Sequence, residues 1–97
     1  MLLRANAVAK SRTHPIGLDF AVIGQVRLLD KYHDVIRIDN SLHHGKAGVH
    51  LHFLDKSGKR VEYAEDVINP TQAMLRVEEY LKKRYYWLFE GDDDEAC

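Results

Sequence analysis

Apolar and polar residues alternate along most of the first two-thirds of the chain and then change to a helical period. In LDFAVIGQVRLLD (18–30), Val22, Gly24, Val26 and Leu28 share one parity while Gln25 and Arg27 take the other. That is the period of two of a half-buried strand. KYH (31–33) reads as a turn, after which DVIRIDN (34–40) sets Ile36 and Ile38 against Arg37 and Asp39. The loop SLHHGKAG (41–48) leads into VHLHFLD (49–55), where Val49, Leu51 and Phe53 face away from His50 and His52. Asp55-Lys56-Ser57-Gly58 suits a hairpin with its glycine at positive φ. KRVEYAED (59–66) follows, with Val61 and Tyr63 opposed to Glu62. Residues 1–17 carry a weaker signal: LLRANAV fits an edge strand or a helical turn, and His14-Pro15-Ile16-Gly17 breaks either one.

The period changes at Asn69, a good N-cap, with Pro70 at N1 and Gln72 at N3 in an approximate capping box. Met74, Val77, Leu81, Tyr85 and Leu88 then form one stripe of an amphipathic helix that Gly91 ends. The pattern predicts a single α+β domain over residues 1–90. Four antiparallel strands form a meander, five if the N-terminal segment joins, with a C-terminal helix on the apolar face. GDDDEAC (91–97) reads as an acidic, disordered tail. Its sharper use would be to fold over the basic surface in place of nucleic acid. The aromatic run Tyr85 to Phe89 exceeds what one stripe needs, so it either folds over the sheet end or offers a partner surface.

Composition narrows the class. With 97 residues, 45% hydrophobic and 30% charged, the chain is long enough for one core and too short for two. No apolar run approaches the ~20 residues that span a bilayer. The first residues lack the longer apolar core of a signal peptide, and the single Cys97 comes last, so a cytoplasmic protein is expected. Net charge is −1, but the tail holds four of the fifteen acids, so residues 1–90 carry 14 − 11 = +3. A mildly basic body permits an RNA partner without demanding one.

Four of the six histidines fall within residues 43–52, and strand register decides what they meet. If Asp39 lies opposite His50, Arg37 lies opposite His52, and Ile38 and Leu51 share the other face. A three-residue loop, Lys56 to Gly58, then opposes Phe53 to Val61, Leu51 to Tyr63 and His52 to Glu62. One polar row therefore reads Arg37, His52, Glu62 and the next Asp39, His50, with Gln25 and Arg27 extending the surface. Cleavage of RNA through its own 2′-hydroxyl needs a base, an acid and a cation, and neither a metal nor a covalent nucleophile is obligatory. His50 and His52 would be the acid and base, Arg37 with Arg27 would stabilise developing charge, and Asp39 or Glu62 would orient an imidazole. His43, His44 and Lys46 would bind backbone phosphates. This set predicts a bell-shaped pH profile between roughly pH 5 and 8. Two other readings stay open. The polar face can be solvated, or dock RNA or protein without chemistry. Alternatively His50 and His52 can hold a metal with Asp39 or a loop histidine, against the charge of Arg37.

IRIDNSLHHGKAGVHLHFLD resembles the strand–loop–strand signature of the TumE-like toxins of type II toxin–antitoxin pairs. The matching positions are Asp39, Asn40, Gly45, Lys46, His50 and His52, and the resemblance runs over roughly residues 34–88. The loop here is longer by Leu42-His43-His44. The resemblance implies a growth-inhibiting toxin held by a cognate helix-turn-helix antitoxin. By analogy with other small α+β toxins it implies RNA cleavage, with Asn40 joining Arg27, His43, His44 and Lys46 at the substrate. Independently of the resemblance, no cofactor and no membrane association are expected, and a homodimer is allowed.

Overall fold

The computed structural model describes residues 1–41, 48–55 and 60–88. The expectations for His43, His44, Gly45, Lys46, the turn at 56–58 and the acidic tail lie outside these residues. Strands β1 (Leu2–Ala7), β2 (Leu18–Leu28), β3 (Lys31–Asp39), β4 (His50–Phe53) and β5 (Val61–Tyr63) pair antiparallel in chain order, and helix α1 (Pro70–Arg84) packs on β2 and β3. The expected α+β meander is therefore present, with LLRANA as its fifth strand. Every residue of β1 is exposed; it holds its conformation through its ladder to β2, from Leu2 opposite Ile23 to Ala7 opposite Leu18.

The first hairpin corrects the turn read at KYH. Lys31, Tyr32 and His33 belong to β3, and the chain reverses at Leu29-Asp30, where both residues have positive φ (52° and 63°). Two left-handed residues make a turn whose twist matches the flanking strands, although leucine is a poor residue for it. A register shift between Gly24 and Gln25 is a β-bulge, and it explains why neighbouring Val35 and Ile36 are both buried in the core.

The core lies between sheet and helix. Phe20, Val22, Val26, Ile36, Ile38, Leu51 and Phe53 meet Ala73, Val77 and Leu81, with the expected stripe members Met74, Tyr85 and Leu88 partly buried beside them. Gly24 marks the closest approach of helix to sheet: a Cβ there would lie 2.7 Å from both Ile36 Cγ2 and Val77 Cγ1. Asn69 caps α1 by accepting the Gln72 N–H at 2.9 Å, and Gln72 reaches back to accept the Ile68 N–H at 2.7 Å. The helix ends earlier than Gly91. Lys82, Lys83 and Arg84 form its last turn, suited to the negative pole of its dipole, and the Tyr85 hydroxyl donates to Asp55 at 2.6 Å. Tyr80 donates to the same carboxylate at 2.7 Å, so one acid at the end of β4 anchors the C-terminal half of the helix. Tyr86 and Trp87 remain exposed. No helix of the described residues is long and apolar enough to cross a membrane.

The last hairpin departs from expectation by one residue. His50 pairs with Tyr63, Leu51 with Glu62 and His52 with Val61. Apolar matching does not fix this register, because β5 has three residues that are exposed, half-buried and exposed. An edge strand with so little to bury gains little from one parity over the other.

Candidate functional site

The expected register of the central hairpin is the observed one: Ile36 opposite Phe53, Arg37 opposite His52, Ile38 opposite Leu51 and Asp39 opposite His50. Alternation then sends Arg37, Asp39, His50 and His52 to the face away from α1. Through β2 and β1 the same rows continue to Ile23 and Leu2, and to Ala21 and Arg4.

Asp39 is the centre of this face. Its Oδ2 lies 2.9 Å from Arg37 Nε and 3.5 Å from His52 Nε2, and its Oδ1 accepts the Ser41 N–H at 3.3 Å. The carboxylate is almost wholly buried, whereas the Arg37 side chain is 43% exposed, so a cation is presented outward on an acid held inside. His52 is 8% exposed and borders a shallow cleft of about 350 Å³ with Arg4, Ala21, Ile23, Arg37, Asp39 and Ser41. Ala21 and Ile23 form an apolar floor. Arg4 on β1 and Arg37 on β3 stand on either side of it, two strand spacings or about 10 Å apart across the sheet.

Several expected residues sit elsewhere. His50 is fully buried, with its ring 4.7 Å from that of Tyr63 and 6.2 Å from that of His52. A ring with no exposed surface cannot touch an RNA phosphate, so the pair His50 and His52 does not present itself as acid and base. Glu62 is carried to the opposite parity by the shifted β5 register and pairs with Arg60; Val61 takes the place opposite His52. Asn40 is buried and spent on the backbone of β2: its Oδ1 accepts the Phe20 N–H at 2.9 Å and its Nδ2 donates to Leu18 O at 2.7 Å. It extends the ladder beyond Asp39 and borders the apolar cavity beside Val49, not the cleft of Arg37 and His52. Arg27 lies four residues along β2 from Ile23, about 13 Å away, where it pairs with Asp30 and stacks over Tyr32. Gln25 donates to Asp34 at 2.7 Å beyond the bulge.

Sequence reasoning missed the other half of the face. Asp19 meets Arg4 Nη1 at 3.3 Å and His14 Nε2 at 3.8 Å, and it accepts the Ser41 hydroxyl at 3.4 Å. Asp19 shares the parity of Ala21 and Ile23 on a readable strand, and Arg4 follows once LLRANA is paired to it. His14 sits in a loop with no period to reveal it.

Among the described residues no group of three His, Cys, Asp or Glu side chains could hold a metal ion. A second, apolar cavity of about 440 Å³ between Pro15, Ile16, Val49, Ala64, Val67 and Ile68 has Glu65 as its one ionisable lining group among the described residues. It is the larger of the two, but the smaller cleft is the one bordered by Arg37, Asp39 and His52. No family model, no curated protein and no solved structure matches this chain.

Proposed function

We propose that this chain is the toxin-like component of a toxin–antitoxin pair, a cytoplasmic ribonuclease that works by metal-independent acid–base chemistry on the polar sheet face. The observation that carries the chemistry is the Arg37–Asp39–His52 cluster bordering a cleft with a second arginine. A carboxylate beside an imidazole orients it and stabilises its protonated form, which suits His52 to take the proton of a ribose 2′-hydroxyl. Arg37 and Arg4 suit the phosphate and the charge it gains. The apolar floor suits the face of a sugar or base. The resemblance over residues 34–88 supports the toxin assignment and a helix-turn-helix antitoxin as partner.

The burial of His50 favours a second reading, because it leaves one histidine of the strand pair facing the cleft. On that reading the face binds RNA through its two arginines without cleaving it. Incubation of end-labelled RNA with the purified protein at neutral pH, with and without EDTA, separates the two. Cleavage that survives EDTA, leaves cyclic phosphate ends and disappears in His52→Ala is the expected result. EDTA-sensitive cleavage would favour a metal site. Salt-dependent binding without cleavage would favour the binding module.

A further inference from the structure

We infer that His14, on the loop before β2, is the general acid of this site, completing with His52 the pair that His50 cannot supply. The inference rests on the ribonuclease reading and names a residue that no strand pattern reveals. Two His–Asp pairs lie on one face. His52 meets Asp39 at 3.5 Å and His14 meets Asp19 at 3.8 Å. Asp39 is opposite Ala21, and Asp19 lies two residues along β2 from Ala21, so the two acids are diagonal neighbours roughly 7–8 Å apart, with their Cβ atoms somewhat closer.

Ser41 ties the pairs together. Its N–H donates to Asp39 Oδ1 at 3.3 Å and its hydroxyl to Asp19 Oδ1 at 3.4 Å. Each carboxylate also carries an arginine, Arg37 on Asp39 and Arg4 on Asp19. Ser41 and both arginines line the cleft. His52 comes from β4 at the cleft itself. His14 comes from the β1–β2 loop and reaches the cleft's edge through Asp19, which holds Arg4 and Ser41, so a phosphate held by the arginines would meet the two imidazoles from different directions. In-line displacement needs that placement, since the attacking and leaving oxygens lie on opposite sides of phosphorus.

The turn itself does not require the imidazole. The His14 backbone N–H donates to Ser11 Oγ, and its carbonyl accepts from Ser11 and Gly17. Those bonds persist in any non-proline substitution, which leaves the side chain to serve the face. In the reaction His52 takes the 2′-hydroxyl proton as O2′ bonds to phosphorus. The bond from phosphorus to the 5′-oxygen breaks, and that oxygen takes the proton from His14. The products are a cyclic 2′,3′-phosphate and a 5′-hydroxyl, and the two imidazoles exchange protons with water to reset.

The test compares two substrates: an oligoribonucleotide, whose leaving alkoxide needs a proton, and a nucleoside 3′-(para-nitrophenyl phosphate), whose leaving phenolate does not. General acid catalysis contributes on the order of 10²–10⁴-fold. His14→Ala and His14→Gln should lose about that factor on the oligoribonucleotide and less than about tenfold on the activated ester. His52→Ala should lose the larger factor on both. Urea denaturation of each variant confirms that the fold is retained. Equal losses on both substrates, or no loss, in the folded His14 variants would overturn the assignment while leaving the ribonuclease reading intact. Wild-type protein that cleaves neither substrate would overturn both.

Discussion

Asn40 separates a structural from a substrate-contacting role most sharply. It follows Asp39 directly, and its amide makes two hydrogen bonds to the backbone of β2, at 2.9 Å to Phe20 N–H and 2.7 Å to Leu18 O. Replacing it with alanine removes both. Losing the bond to Leu18 O costs about 1 kcal/mol net, and leaving the buried Phe20 N–H without its partner costs ~1–3 kcal/mol. Phe20 has no exposed surface, so water cannot substitute at that N–H. A loss of roughly 2–4 kcal/mol follows, a large part of the ~5–15 kcal/mol typical of a domain. With a urea m value of about 1.5 kcal/mol/M, the midpoint of Asn40→Ala should fall by roughly 1–2.5 M with m unchanged. Asn40→Asp keeps the acceptor for Phe20 but loses the donor for Leu18 and sets a charge against that carbonyl, so it should be destabilised too. RNA affinity measured well below each variant's unfolding midpoint should stay near that of wild type. A variant as stable as wild type but several-fold weaker on RNA would refute this reasoning and return Asn40 to the substrate.

Gly24→Ala should lower stability by about 1–3 kcal/mol, because its Cβ would sit 2.7 Å from two β-branched side chains. A Gly24→Ala/Val77→Ala double variant less destabilised than the sum of the single variants in urea titration would confirm the helix contact. Leu29→Asn should stabilise by roughly 0.5–1 kcal/mol, since Leu29 is 97% exposed at positive φ and has no packing to lose; an unchanged melting temperature would speak against that turn. Burial and the hydrogen bond to Asp55 push the Tyr85 hydroxyl up to about 12 and raise Tyr80 further still. The folded state thus prefers these phenols neutral. That contribution is complete below the ordinary tyrosine pKa near 10 and is lost as pH rises through the folded values. Phenolate absorbance should therefore show late-titrating tyrosines that appear together with alkaline unfolding, and Tyr85→Phe should make the alkaline loss of stability smaller.

Periodicity by itself determined the elements and the central hairpin. Ile36, Ile38, Leu51 and Phe53 must share the face that α1 covers. That requirement excludes one-residue slips and puts Arg37, Asp39, His50 and His52 on the other face, and the register that sets Asp39 opposite His50 is the one found. The Asn69 cap and the stripe through Val77 and Leu81 were equally legible, because local hydrogen bonding and burial act within a few residues of the chain. Where little apolar surface is at stake, the pattern loses its hold. The short β5 shifted by one residue, removing Glu62 from the face. The turn moved to Leu29-Asp30, because a strand can continue through the polar residues Lys31 to Asp34 once its partner supplies the ladder. Tertiary structure alone decided which histidines are usable. Alternation puts His50 and His52 on the same side, but it says nothing of depth, and only the packed fold buries one completely while leaving the other at a cleft. It also carried His14 to Asp19 and Arg4 to the rim. Pairing of β1 with β2 brings Arg4 to Asp19, fifteen residues away, and the fold of the loop before β2, which has no period to read, brings His14 back to Asp19.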